Sequence, residues 1–140
     1  MTKRQSIINR LKTIVKQVKS LEVVETDKLS SIKLNSVPLP AAFIYGGNET
    51  RVENENAIIG YETWLWDVYI EVWTVFDVDV EDILKDVHTL VYNDYTLGGY
   101  AVIADRIGAE IFTVDPEKDI AGILISYRVL YRHVRGTPEV

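Results

Sequence analysis

The stretch YETWLWDVYIEVWTVFD, Tyr61 to Asp77, holds all three tryptophans of the chain, two of its eight tyrosines and one of its three phenylalanines. Trp64, Trp66, Val68, Ile70, Val72, Thr74 and Phe76 alternate along it and give one almost wholly apolar face. That is the period of a long β-strand laid against a core. The opposite face carries Leu65, Asp67, Tyr69, Glu71, Trp73, Val75 and Asp77. A strand wet on that side would be polar throughout; this mixture of large amphipathic side chains and acids has the composition of a surface that meets protein. Tyr69 and Trp73 would bring contact area at low entropic cost, and such residues dominate interface hot spots. Two coverings satisfy the pattern: a second polypeptide, or another loop or helix of the same chain.

Working outward, residues 3–21 read as an amphipathic helix. Ile7, Ile8, Leu11, Ile14, Val15, Val18 and Leu21 keep a 3.6-residue period with cations between them. Thr2 and Gln5 have capping-box spacing. LEVVE (residues 21–25) has the pattern of a short strand, and the two prolines of SSIKLNSVPLP exclude a central strand there. AAFIY (41–45) predicts a strand closed by a Gly46-Gly47 turn, followed by a polar loop or hairpin tip over NETRVENEN. Beyond the aromatic strand, Val80, Ile83, Leu84, Val87, Leu90 and Val91 space a second helix over about Asp79 to Asp94, with acids at its start where the helix dipole favours them. DYTLGG breaks it. YAVIADRI and AEIFTV predict two strands meeting near Gly108, DPEKD a turn, and AGILISYRVLYRH a final strand. On that last strand Ile123, Ile125, Tyr127, Val129 and Tyr131 face one way, and Ser126, Arg128 and Arg132 the other. The order predicts an α+β fold: a mainly antiparallel sheet with two principal helices packed on one face.

At 140 residues the chain has the size of a single domain, 1–140, able to bury roughly two thirds of its unfolded surface. Hydrophobic residues at 47% and charged residues at 26% exclude wholesale disorder. No apolar run reaches the length of a membrane span, and no signal peptide is expected. The absence of cysteine removes disulfides, thiol catalysis and cysteine-bound metal. Charge is uneven: residues 1–20 carry +6, so the other 120 carry −12 to reach the net −6. Such asymmetry suggests contact between oppositely charged surfaces, or a basic helix near a phosphate backbone; a solvated helix face is the plain alternative.

No catalytic or cofactor constellation emerges. His88 and His133 lack a second histidine at metal-binding spacing and read as surface or interface residues. Asp77-Asp79-Glu81 and Asp115-Glu117-Asp119 begin like calcium loops. They then place Asp82 and Ile120 where glycine is needed, and His88 and Ser126 where the bidentate Glu belongs. The glycine pairs lack a phosphate-cradle context. A base-stacking platform is disfavoured, since no cation stands between Tyr61 and Asp77. The expectation is a non-enzymatic protein without cofactor or metal. Its candidate protein-interface residues are Tyr69 and Trp73, Lys12 and Lys16 on the basic helix, and Arg128 and Arg132 on the outward face of the last strand.

The order of these segments, with PAAFIYGG, LWDVYIEVW, DYTLGGYAVI and the closing ISYRVLYRHVRGTP, resembles the tail terminator (tail completion) proteins of long-tailed bacteriophages. Leu97-Gly98-Gly99 after the second helix and Tyr131-Arg132 with Gly136 and Pro138 carry most of the likeness. The resemblance implies a virion component with no catalytic residues, a homo-hexameric ring on the head-proximal end of the tail tube. Its implied partners are its own copies, the tube protein and the head–tail connector protein, with DNA only as passing cargo and no membrane. A head-completion or neck protein of the same virion is a close alternative. A nucleic-acid-binding protein using the basic helix is another, and a small-molecule-binding α+β domain a third. Within the ring reading, the +6 helix would meet an acidic region of a neighbouring copy or a tube subunit.

Overall fold

The computed structural model describes residues 2–26, 38–52, 60–75, 80–117 and 119–134. Their elements run α1 (Lys3–Val15), β1 (Val23–Glu25), β2 (Ala41–Arg51), β3 (Tyr61–Val75), α2 (Val80–Asn93), β4 (Ile103–Asp115) and β5 (Ile120–Val134). The five strands form one sheet in the order β1-β2-β3-β5-β4. β1 lies parallel to β2, and every other neighbour pair is antiparallel. The class is the α+β expected, with both helices on one face.

The helices form for the reasons their sequences suggest. Thr2 caps α1 by accepting from the Gln5 N–H at 3.1 Å, and the Gln5 side chain accepts from the Thr2 N–H at 2.8 Å. The helix ends earlier than its apolar period predicts. After Val15 the backbone tightens into i→i+3 bonds, Gln17 N–H to Ile14 and Val18 N–H to Val15, which still bury Val18. α2 buries Ile83, Val87 and Val91, three positions at helical spacing.

Ile7, Leu11 and Ile14 of α1 and those three residues of α2 pack on Ala42 and Ile44 of β2, on Trp66, Val68, Ile70 and Val72 of β3, and on the odd-numbered side chains Ile123 to Tyr131 of β5. Each fully buried aliphatic side chain contributes about 1.5–3 kcal/mol. Phe76, expected on this face, and the acids Asp77 and Asp79 lie outside the described residues.

Three local expectations are corrected. Gly46-Gly47 is not a turn, for β2 runs through it to Arg51. The two glycines make room for rings on opposite faces: a Cβ at Gly46 would stand 2.1 Å from the Trp66 indole, and one at Gly47 2.6 Å from the Tyr69 ring. A register shift between Gly46 and Glu49 follows. It turns Glu49 to the helix face, where its carboxylate accepts from Arg4 Nη1 at 3.0 Å and from the Tyr131 hydroxyl. Asn48 to Arg51 is therefore strand rather than loop, while residues 53–56 of that stretch lie outside the described residues.

The third correction merges the two strands predicted around Gly108 into one continuous β4. A register shift between Arg106 and Gly108 absorbs the irregularity. The true fifth strand is β1, the short LEVVE segment.

The turn after α2 bears the glycines as expected. Leu97, Gly98 and Gly99 take φ of 50°, 69° and 90°. Glycine tolerates this freely, whereas Leu97 does so at a cost of about 1–3 kcal/mol, offset by complete burial of its side chain. Asp94 fixes the turn: one carboxylate oxygen accepts from the Gly98 N–H at 3.0 Å, the other from Arg10 Nε at 2.7 Å. The second contact ties α1 to the end of α2.

Candidate interaction surface

The odd-numbered side chains of β3 and their neighbours make the second face of the sheet. At one end is a small apolar cluster: Ala41, Phe43, Trp73 and Ile120, with Val23, Leu39, Phe112 and Val114 packed against it. No described helical residue belongs to it. Phe43 and Trp73 meet edge to face, centroids 5.1 Å apart. The far edge of the Phe112 ring reaches Gly122, where a Cβ would come within 2.4 Å of it.

Beside this cluster, Glu71 is buried and fully engaged. One carboxylate oxygen accepts from the Tyr45 hydroxyl at 2.9 Å and the other from Trp73 Nε1 at 2.7 Å. Burial, and then the bond to Glu71, push the Tyr45 phenol well above its ordinary range. Tyr69 sits opposite Tyr45 in the register, rings 5.5 Å apart. Further along, Asp67 stands opposite Arg128 and accepts from its Nε at 3.3 Å. Leu65 then faces Leu130 and Thr63 faces Arg132.

Each predicted interface residue can now be placed. Trp73 is only 8% exposed, and its ring is taken up by Phe43, Ala41 and Ile120 of its own chain. The same-chain covering thus applies to Trp73 and leaves it little surface for a partner. Tyr69 is half-buried on the second face. Arg128 is exposed and paired with Asp67. Arg132 is half-buried, and its Nε has no hydrogen-bond partner among the described residues. Lys12 is half-buried and Lys16 exposed at the C-cap of α1. These two lie with the helix layer, so the six candidates form two separate groups.

Two features escaped sequence reasoning. The Tyr45–Glu71–Trp73 network depends on strand register, and only the i, i+2 spacing of Glu71 and Trp73 hinted at it. The pairing of Asp67 with Arg128 joins residues 61 positions apart.

The histidines serve packing. His88 Nδ1 lies 3.5 Å from the Tyr127 hydroxyl, and burial together with the Arg106 charge lowers its pKa. His133 stacks on Trp64 and stands 3.3 Å from Glu62. Among the described residues no group of histidines and acids is placed to hold a metal ion, and no helix is long and apolar enough to cross a membrane.

No protein-family model matches the chain, and no curated protein matches it. Among solved structures, a chain of the virion of the native gene transfer agent (GTA) particle is a weak neighbour. It is 14% identical, with a TM-score of 0.43 over 94% of this chain and 92% of that one.

Proposed function

We propose that this chain is a non-enzymatic virion assembly protein that caps the head-proximal end of a phage tail tube as a ring, ends tube growth and offers a docking surface to the head connector. The sequence resemblance supports this role. The single structural observation in its favour is the second face of the sheet. No described helix covers it, and two of its acids already have partners within the chain, Asp67 in Arg128 and Glu71 in Tyr45 and Trp73. A second polypeptide that covers Asp67 and Glu71 leaves neither acid without a partner, and so avoids the usual obstacle to covering acids. Tyr69, Leu65 and Leu130 would supply the apolar contact.

A head-completion or neck role in the same particle would use the same surface. The nucleic-acid reading is weakened by the fate of two cations of α1: Arg4 is held by Glu49 and Arg10 by Asp94. The test is polymerisation of tail-tube subunits in the presence of the chain. Tubes should stop at one end and carry it there as a ring by electron microscopy. Unaltered tube growth, with duplex DNA instead shifted by the chain and released by salt, would overturn the proposal.

A further inference from the structure

We infer that copies of this chain associate head to tail, the β4 edge of one copy seating in a groove beside α1 of the next. This rests on the self-assembling reading above and gives it two specific surfaces. The groove is open, about 800 Å³, and its lining includes Arg4, Gln5, Ile8, Asn9 and Trp66. Ile8 and the Trp66 ring supply its apolar part. Gln5, Asn9, Lys12 and Lys16 succeed one another at i+3 and i+4 spacing, so the two lysines continue the same helical stripe beyond the groove.

The opposite edge of the sheet is its complement. β4 is exposed without a break from Asp105 to Ile111, with Ile107 49% and Ile111 55% open to solvent. Asp105 and Glu110 flank these isoleucines in sequence.

Charge follows the same division. Residues 2–20 hold six cations and no acid, whereas residues 80–119 hold nine acids against three cations. α1 packs over β1 and β2, and α2 over β4 and β5. The cationic and anionic segments therefore stand over opposite edges of one sheet. Local exceptions narrow this without cancelling it. Arg4 and Arg10 are already held by Glu49 and Asp94. Arg106 lies on the acidic edge, where Asp105 also stands opposite Arg128, and Glu22 and Glu25 lie near the basic edge.

Opposite placement also excludes self-filling, because the edge of one molecule cannot reach its own groove. The contact is heterologous, and repetition closes a ring or builds a filament. Charged residues and the register shift at Arg106–Gly108 disfavour strand-to-strand pairing at this edge. Docking thus proceeds through side chains rather than by extending the sheet.

The natural chain has no cysteine, so single-cysteine variants read the geometry directly. Asn9→Cys and Ile111→Cys, both at exposed positions, are mixed under mild oxidation after circular dichroism has established that each folds. The expected product is the mixed disulfide, in excess of either self-pair and falling on the order of tenfold at high salt. Ile111→Lys should weaken association at least about tenfold. Cross-linking of Ile111→Cys only to itself would overturn the pairing. So would a mixed yield no higher than that of a control cysteine at the exposed Tyr92. A mixed disulfide from a chain that fails to cap tubes would keep this contact and remove the tail role; capping without the mixed disulfide would do the reverse.

Discussion

The two faces of the sheet solve the same burial problem with different means. On the helix face, α1 and α2 lay aliphatic side chains over β2, β3 and β5, and polar groups are rare. Glu49 is anchored between Arg4 and Tyr131, whereas Trp64 Nε1 and Thr74 Oγ1 find no hydrogen-bond partner among the described residues. On the other face the chain seals one end with Phe43 and Trp73 and buries Thr63 and the Arg132 Nε toward the other. It leaves Tyr69, Leu65 and Leu130 half-buried beside charges paired across the strands. The difference separates two uses of aromatic residues in one strand. Trp66 and Trp73 build the molecule; Tyr69 stays half-buried, and contact is the role proposed for it.

Mutations can break or sharpen that contrast. The largest effect belongs to the sealed face: Leu11→Ala, at a position with no exposure, should cost about 2–5 kcal/mol by chemical denaturation. Next comes Glu71→Leu, which leaves the Tyr45 hydroxyl and Trp73 Nε1 without their acceptor. It should cost about 1–3 kcal/mol in the isolated chain, and a neutral outcome would mean that water replaces the carboxylate. Tyr69→Ala should cost less than about 1.5 kcal/mol in the isolated chain yet weaken assembly at least about tenfold. Equal damage to both would erase the distinction between the faces. The smallest thermodynamic effect is Asp67→Asn, where an exposed pair is worth up to about 1 kcal/mol.

A pH series probes the sealed face independently. Burial lowers the pKa of His88, so the unfolded chain binds that proton more readily than the folded one. Its contribution to stability is complete above the ordinary value of about 6.5 and is lost as pH falls from there through the lowered folded value. The thermal midpoint should therefore drop between neutral and mildly acidic pH, and His88→Gln should flatten that part of the curve.

Much of this architecture was legible from periodicity. The alternation from Trp64 to Thr74 and from Ile123 to Tyr131 announced two central strands and their buried sides. The helical spacing of Ile7, Leu11 and Ile14 announced the helix that covers them. Glycine misled twice, for two physical reasons. Gly46, Gly47 and Gly122 serve the close approach of a ring from a neighbouring strand, a requirement invisible without the register. Gly108 sits at a register shift inside one strand rather than between two.

The candidate surface was half legible. Tyr69 and Arg128 could be assigned to its face by alternation alone. The capture of Trp73 by Phe43 and of Asp67 by Arg128 depends on partners far away in sequence.

The central claim is that the helices of the chain close one face and a second polypeptide closes the other. Hydroxyl-radical footprinting read by mass spectrometry tests it most directly, comparing the isolated chain with the assembled particle. Tyr69 and Leu130 should be labelled in the isolated chain and protected in the particle, while Ile83 and Val87 stay protected in both. Equal labelling of Tyr69 and Leu130 in the two states would contradict the account.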